Sequence, residues 1–158
     1  MSLRDRLASP GLTVRVQIVL GILFIAAALP KLLDPPSFAH MIYNYRILPE
    51  GLVNPLALVL PWLELLCGVA LVLGIWNRTA SALVGFLLLV FTAALTLNLL
   101  RGNAIDCGCF DVKAAGRSVA ERLSDMRWDL LRDAGLLLMV AQILLATRKD
   151  EAADAVSS

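Results

Sequence analysis

The sequence predicts an all-α fold: a polytopic membrane protein whose four transmembrane helices form one bundle, with short interfacial helices in its outer loops. Hydrophobic residues make up 59% of the 158-residue chain and the mean hydropathy is +0.77, more than a water-soluble surface accommodates. Charged residues make up only 17%, against about a quarter in soluble domains. The apolar residues also fall into four long runs, so we predict a single membrane domain over residues 1–158.

The four runs cover residues 14–33, 53–76, 79–100 and 128–147. A helix rises about 1.5 Å per residue, so about 20 residues cross a hydrocarbon core of about 30 Å, and each run reaches that length. The segment Leu87–Phe91 does not alternate apolar and polar residues, as the strands of a membrane barrel do. Basic residues before the first run (Arg4, Arg6 and Arg15) also suit a signal peptide, but we interpret this run as a transmembrane helix.

The connections between the runs predict how the helices are arranged. Asn77–Arg78 is so short a link that the second and third helices should be antiparallel neighbours. Residues 34–52 contain apolar side chains at helical spacing, which predict a short helix on the membrane surface, N-capped within Asp34–Ser37. Val119–Met126 predicts a second surface helix, and the polar tail 148–158 is expected to fray. The apolar side chains of the first surface helix are Phe38, Met41, Ile42 and Tyr45.

The distribution of basic residues bears on which side of the membrane the termini and the loops face. Four spans place both termini on one side, which carries six Lys and Arg against eight on the other, so the count alone does not decide. The first helix often dominates topology and its N-terminal flank is the more basic. We therefore predict cytoplasmic termini and outer loops that face the periplasm or the cell exterior. The net charge of +1 gives no argument for a nucleic-acid partner.

Glu64 is the clearest ionisable residue inside a run, and such residues are costly and usually functional. Its charged form needs a cation or water nearby. Lys31 and Arg132 are the candidate partners, and kinks at Pro30 and Pro61 would let these groups approach. Three interpretations stay open: a structural ion pair, a direct role in chemistry, or a site for a small molecule or sulfur compound.

Other polar side chains point less clearly to a role. Cys67 lies three residues after Glu64 on the same helix face, where a small apolar core residue is the simplest interpretation. His40 lies in a polar connection and is interpreted as a surface residue. We expect a polar cluster toward the outer ends of the third and fourth helices, formed by Asn98, Arg101, Arg132 and Asp133.

Cys107-Gly108-Cys109 is the most informative local motif and follows the third run. A disulfide across one residue closes a small strained ring, and strained disulfides are the more easily reduced. Gly108 supplies the backbone freedom for closure, and a cation such as Arg101 favours the nucleophilic thiolate. The motif therefore predicts a redox-active pair that exchanges with a substrate dithiol in an oxidising compartment.

Two other interpretations of this pair remain open. Two thiolates would supply half of a zinc or copper site, which a second chain would have to complete because this one has no second Cys or His pair. A structural disulfide is the other, although so short a ring constrains little of the chain. No haem-attachment motif, P-loop or dinucleotide fingerprint is present.

Several motifs in order resemble one known family. These are Lys31-Leu32, Phe38, Tyr45–Pro49 (YRILP), Leu60–Gly68 (LPWLELLCG), Arg101-Gly102 and Cys107–Phe110 (CGCF). Over roughly residues 14–146, their order and spacing resemble the MauE branch of the DoxX-like membrane proteins. The family motif usually continues CGCFG, whereas Asp111 stands at its last position here.

This resemblance implies a four-helix bundle in the bacterial inner membrane with a role in thiol–disulfide traffic. MauE is associated with maturation of methylamine dehydrogenase, whose small subunit needs many periplasmic disulfides, and relatives are linked to thioredoxin-like partners. DoxX-type relatives are connected to quinone-coupled sulfur oxidation, so a quinone is a candidate cofactor.

The leading hypothesis is a membrane oxidoreductase or redox relay. Cys107 and Cys109 would exchange electrons with a thioredoxin-like or other periplasmic dithiol protein. Two alternatives stay open: a non-catalytic assembly partner that docks a periplasmic protein through the outer loops, and a small-molecule site around Glu64. The residues expected to support the cysteines, by organising the bundle or handling protons, are Lys31, Glu64, Arg101, Arg132 and Asp133, with Cys67 as a possible relay thiol.

Overall fold

A computed structural model describes residues 9–103 and 118–157, with side chains described up to Arg148 except that of Val119. These residues form five helices and no strand, which confirms the all-α prediction. The helices are α1 (Pro10–Leu33), α2 (Pro35–Asn44), α3 (Glu50–Leu73), α4 (Asn77–Leu100) and α5 (Val119–Ser157). Four segments are long and apolar enough to cross a membrane: α1, α3, α4 and residues Ala120–Arg148 of α5.

The four long helices form a closed ring in the order α1, α3, α4, α5. The contacts between α1 and α3 and between α4 and α5 are the most extensive, and those of α3 with α4 and α1 with α5 close the ring. The largest apolar core lies where these helices meet, and Leu20, Leu71, Val84 and Ile143 are almost completely buried in it. Large apolar side chains such as Leu58, Trp62 and Leu138 cover the outside, an excess of exposed apolar surface typical of a membrane-facing exterior.

One end of the bundle carries α2 and is called the α2 end below. Here α1 and α4 finish and α3 and α5 begin, and Tyr45, Leu95 and Met126 form a small cluster. The short helix is N-capped by Asp34, whose carboxylate accepts from the Ser37 backbone N–H at 3.2 Å and from the Ser37 hydroxyl at 2.9 Å. The cap and helix predicted in this connection are therefore confirmed. His40, on the same helix, is exposed, as expected.

The crossing of α1 with α3 is close because both helices place a glycine at the contact. A Cβ atom added to Gly21 would lie 2.6 Å from the Gly68 carbonyl oxygen, and one added to Gly68 would lie 2.8 Å from that of Gly21. Small residues allow helix backbones to approach in this way, as is common in membrane bundles. This crossing sets the distance between the polar side chains on α1 and α3.

The turn between α3 and α4 lies slightly earlier in the chain than the sequence suggested. Asn77–Arg78 are the first residues of α4, and the link is residues 74–76. Gly74 ends α3 in a left-handed conformation (φ 71°), and Ile75 N–H donates to the Ala70 carbonyl at 2.9 Å, the pattern of a Schellman C-cap. The two helices are nevertheless neighbours, as predicted.

The fourth long helix differs from the prediction at both ends. Val119–Met126 is not a separate surface helix but the beginning of α5, which continues without a break to Ser157. Its start is fixed by a capping box in which the Ser118 N–H and hydroxyl donate to Glu121 Oε2 at 2.8 and 2.9 Å. The segment from Val119 to Ala134 contains no glycine or proline that would interrupt a helix. The polar tail, rich in alanine and acidic residues, also continues as helix.

Candidate functional site

Lys31 on α1 and Glu64 on α3 form a buried ion pair. Lys31 Nζ donates to both Glu64 carboxylate oxygens at 2.7 Å. The two side chains are 5% and 12% exposed, so the pair is almost entirely removed from solvent. Of the two cations considered from the sequence, Lys31 is thus the partner of Glu64. Both α1 and α3 continue through the prolines near this site, Pro30 and Pro61.

Helix geometry explains why these two side chains meet. Lys31 lies ten residues beyond Gly21 and Glu64 lies four residues before Gly68, so their backbones are offset by about 9 Å along the antiparallel helices. Side chains tilt toward the N-terminus of their own helix. In an antiparallel pair, Lys31 and Glu64 therefore lean toward each other, and two long side chains close the gap.

The short helix α2 covers the pair from the α2 end. The Phe38 ring lies 5.2 Å from Lys31 Nζ, in cation–π distance. Phe38 is itself buried with Met41 and Ala57, which joins α2 to α3. The predicted surface helix thus contributes directly to the environment of the buried ammonium group.

Two cavities adjoin the ion pair. One, of about 80 Å³, lies among all four long helices, and Lys31, Glu64, Arg132 and Asp133 are its polar lining residues. The other, of about 180 Å³, lies between α2, α3 and α4, and Lys31 and Glu64 are its charged lining residues. The ion pair therefore forms a wall shared by two largely apolar cavities that are partly open to the exterior of the bundle.

Arg132 and Asp133 form a second polar group, on α5. Asp133 is almost fully buried and accepts from Arg132 Nη2 at 3.2 Å and from the Thr92 hydroxyl on α4 at 3.4 Å. Arg132 Nη1 also lies 2.7 Å from Asp129 Oδ1, one turn earlier on the same helix. The expectation that Arg132–Asp133 faces the bundle is confirmed for Asp133, while Arg132 remains 32% exposed.

The sequence predicted that Asn98 and Arg101 cluster with Arg132 and Asp133 toward the outer ends of their helices. In the structure the hydrogen bonds of Asn98 are separate from those of Asp133. Asn98 is fully buried, and its Nδ2 donates to the carbonyl oxygens of Tyr45 at 3.2 Å and Ala94 at 3.0 Å. Arg101 follows the last residue of α4 and is exposed. Asn98 instead fixes the chain after α2 against α4, and Asn103 N–H donates back to its carbonyl at 3.0 Å.

Cys67 is buried in the main apolar core, together with Phe24, Leu71 and Val84. It shares the buried face of α3 with Glu64, as its spacing predicted. Cys67 is therefore surrounded by apolar side chains, as expected for a small apolar core residue.

The Cys107-Gly108-Cys109 motif lies outside the described residues. The chain on either side of it is anchored. Asn103 is bonded to Asn98 at the end of α4, and the Ser118–Glu121 capping box begins α5. Both anchors belong to the α2 end of the bundle, the end near which the Lys31–Glu64 pair lies.

Two contributors to the site had no clear signal in the sequence. The sequence placed Phe38 on the apolar face of a surface helix. Its position over Lys31 depends on how α2 folds back onto the bundle. Thr92 lies in an apolar run, and nothing local marks it as the interhelical partner of Asp133. A hydroxyl on a helix most often bonds its own backbone, as Thr96 does with the Thr92 carbonyl.

Comparison with known proteins identifies similar chains. A family model described as methylamine utilisation protein MauE matches residues 9–146. The methylamine utilization protein MauE of Methylorubrum extorquens is 42% identical over 134 residues, which are 84% of this chain and 68% of that protein. Its counterpart in Paracoccus denitrificans is 43% identical over 107 residues, 67% of this chain and 58% of that protein.

A third relative of the same description, from Methylophilus methylotrophus, is 37% identical over 63% of this chain and 53% of its own length. The chain thus spans between about half and two thirds of the length of these relatives. No solved structure matches it.

Proposed function

The chain belongs to the MauE family, and from this premise we propose that it is a multi-pass membrane protein of methylamine utilisation that exchanges electrons between thiols through Cys107 and Cys109. The Cys-Gly-Cys motif carries this proposal. It falls within the residues that the family model matches, and its one-residue spacing favours a strained, reducible disulfide. The partner we propose is a thioredoxin-like or other periplasmic dithiol protein.

The proposed exchange proceeds in two balanced steps. A partner thiolate attacks one sulfur of the Cys107–Cys109 disulfide, so that an intermolecular S–S bond forms while the intramolecular one breaks and the other cysteine leaves as a thiolate. The second partner thiolate then attacks the mixed disulfide. The partner ends as a disulfide and this pair as a dithiol, which carries two electrons and takes up two protons. A thioredoxin-like disulfide returns the pair to its oxidised form by the reverse sequence.

The proposed topology places this chemistry outside the cytoplasm. With cytoplasmic termini in a bacterial inner membrane, residues 104–117 face the periplasm, an oxidising compartment in which such a pair cycles. The flanks support the proposal, since Asn103 bonds to Asn98 at the end of α4 and Ser118 caps the start of α5, so the cysteine segment begins and ends at the α2 end of the bundle. Arg101, exposed six residues before Cys107, is available to favour a thiolate.

Redox titration of the purified full-length chain tests the proposal. The protein is equilibrated in mixtures of oxidised and reduced dithiothreitol, and free thiols are counted by alkylation with a mass-adding maleimide. We expect two thiols to appear together across one transition. The same reagent class in a membrane-impermeant form, applied to intact spheroplasts whose disulfides have first been reduced with dithiothreitol, should label Cys107 and Cys109 without lysis if the loop is periplasmic.

Three serine variants provide the controls. Cys67→Ser should keep the two-thiol transition, because Cys67 lies in the apolar core. Cys107→Ser and Cys109→Ser should each abolish it, and one of them should retain an oxidised thioredoxin-like protein as a mixed disulfide, because its single thiolate attacks the disulfide of that protein. If both variants exchange thiols and trap partners like the unchanged chain, the proposed function is wrong.

A further inference from the structure

We propose that the larger cavity, between α2, α3 and α4, binds a neutral, ring-shaped molecule from the membrane whose carbonyl oxygen accepts the remaining N–H of Lys31. The occupant is defined by its chemistry: an apolar ring system with one carbonyl acceptor and no net charge. The binding site is separate from Cys107 and Cys109 and does not depend on their chemistry.

The first argument is the hydrogen bonding of Lys31. An ammonium group has three N–H donors, and Lys31 directs two of them to Glu64. Its other contact within the described part of the chain is the π face of Phe38. One donor of a side chain that is only 5% exposed therefore has no oxygen acceptor there, and buried donors without an acceptor are costly.

The second argument is the shape and lining of the cavity. It has a volume of about 180 Å³, and aromatic rings of Phe38, Tyr45 and Phe91 border it together with aliphatic side chains. Aromatic walls favour a flat ring by offset stacking or edge-to-face contact. Apart from Lys31, Glu64 and Tyr45, the lining side chains are apolar, so most of the occupant's surface should be apolar too.

The third argument is charge. Lys31 and Glu64 neutralise each other at 2.7 Å, so the site has no excess charge to offer a ligand. An anion or a cation would bring an unpaired charge into a low-dielectric interior, where it is strongly disfavoured. A carbonyl oxygen accepts a hydrogen bond without that cost.

The mouth of the cavity indicates where the ligand comes from. Ile47 and Leu48, which follow α2, and Val90 on α4 line the cavity and are exposed. They belong to the apolar exterior that a membrane covers, so the route inward leads from the lipid phase. Quinone head groups and redox-inert ring ketones are both neutral ring carbonyls, and the test separates them.

Binding to the full-length chain in lipid nanodiscs tests this inference, with empty nanodiscs as background. The probes are fluorenone, a ring ketone; fluorene, the same ring system without the carbonyl; decylubiquinone; and dodecanoate, an anion. We expect fluorenone to bind at least about tenfold more tightly than fluorene, a ratio that one well-placed hydrogen bond supplies. Displacement of fluorenone by decylubiquinone would identify a quinone-type site, and failure of decylubiquinone to displace it would identify a site for other ring ketones.

Matched variants locate the site. Ala94→Leu fills the cavity, which Ala94 lines, and should abolish fluorenone binding. Ala93→Leu makes the same change on the exposed side of α4 and should bind normally. A chain with both Lys31→Met and Glu64→Met should bind fluorenone and fluorene equally. The chain with Cys107→Ser and Cys109→Ser should bind fluorenone unchanged, which separates this site from the proposed thiol chemistry.

Three outcomes would overturn the inference. These are equal binding of fluorenone and fluorene by the unchanged chain, equal binding of fluorenone by the Ala94→Leu and Ala93→Leu chains, and tighter binding of dodecanoate than of fluorenone. Because the two alanine variants alter no charged group, they remain informative even if the double variant at Lys31 and Glu64 fails to fold.

Discussion

Two buried carboxylates, those of Glu64 and Asp133, line the smaller cavity among the four long helices. The protein balances their charges in different ways. Glu64 receives both of its hydrogen bonds from Lys31, which lies on a different helix 33 residues away in sequence. Asp133 is paired with the adjacent residue, Arg132, at 3.2 Å, and its interhelical contact is a Thr92 hydroxyl at 3.4 Å. The first pair therefore connects α1 to α3 directly, whereas the second is mainly internal to α5.

The two pairs also differ in how far water reaches their cations. The Lys31 side chain is 5% exposed and the Arg132 side chain is 32% exposed. Charge pairs that water reaches are screened and contribute little, whereas breaking a fully buried pair leaves an uncompensated charge. Removing the cation should therefore cost more stability in the Lys31–Glu64 pair than in the Arg132–Asp133 pair.

The largest expected effect is that of Lys31→Met. The substitution leaves the Glu64 carboxylate buried without its cation, which we expect to lower the free energy of unfolding by about 3–5 kcal/mol. Unfolding by SDS titration, followed by circular dichroism, measures the change.

The double variant with Lys31→Met and Glu64→Met is the control for that measurement. Replacing both members of a buried pair by apolar side chains is often neutral or stabilising, so most of the lost stability should return. If the double variant is no more stable than Lys31→Met alone, the Lys31–Glu64 contact is not what the single substitution disrupted.

A smaller effect is expected from two equivalent glycine substitutions, one on each side of the bundle. A Cβ at position 68 would lie 2.8 Å from the Gly21 carbonyl, which belongs to the backbone, whereas one at position 85 would lie 2.9 Å from a methyl group of Val140. Gly68→Ala should cost about 1–3 kcal/mol by overpacking. Gly85→Ala should cost less, since the Val140 side chain can shift and alanine favours the helix.

The same SDS titration measures both glycine variants. Equal destabilisation by the two substitutions would show that the α1–α3 crossing is no more tightly constrained than the α4–α5 contact.

The smallest expected effect is that of Thr92→Val. It removes the 3.4 Å hydrogen bond to Asp133 while keeping the shape of the side chain, and hydrogen bonds between membrane helices contribute about 0.6 kcal/mol on average. Thermal unfolding in detergent should therefore change by only a few degrees. Thr96→Val, at a hydroxyl that bonds its own helix backbone, is the matched control. A loss as large as that of Lys31→Met would make Asp133 the more important buried carboxylate.

Several local features could be predicted because their physics is local. The apolar runs, the Asp34 cap and the Phe38–Tyr45 pattern depend on residues within a few turns of one another, and the structure confirms each of them. Errors arose at boundaries. The prediction of a second, separate surface helix was wrong. A helix continues through Arg127 and Trp128 because no proline or glycine interrupts it there, and the polarity of the segment does not show this.

The candidate site was predictable only as a set of possibilities. Glu64 was identifiable as a costly residue in a span, but Lys31 and Arg132 were equally acceptable partners in sequence. The choice depended on the Gly21–Gly68 crossing, which brings α1 close to α3 at a particular offset. The assignment of Cys107 and Cys109 as a redox pair remains a prediction from their spacing and from the family.

The sequence by itself determined that four of its segments are long and apolar enough to cross a membrane, because hydrophobic length is additive along the chain and bilayer thickness is fixed. It also determined which ionisable residues would need compensation inside the bundle. The tertiary structure decided which of them are paired, and it created the cavity beside Lys31 by folding α2 over α1 and α3. A cavity and an interhelical ion pair depend on how helices distant in sequence pack together, and no local pattern specifies that packing.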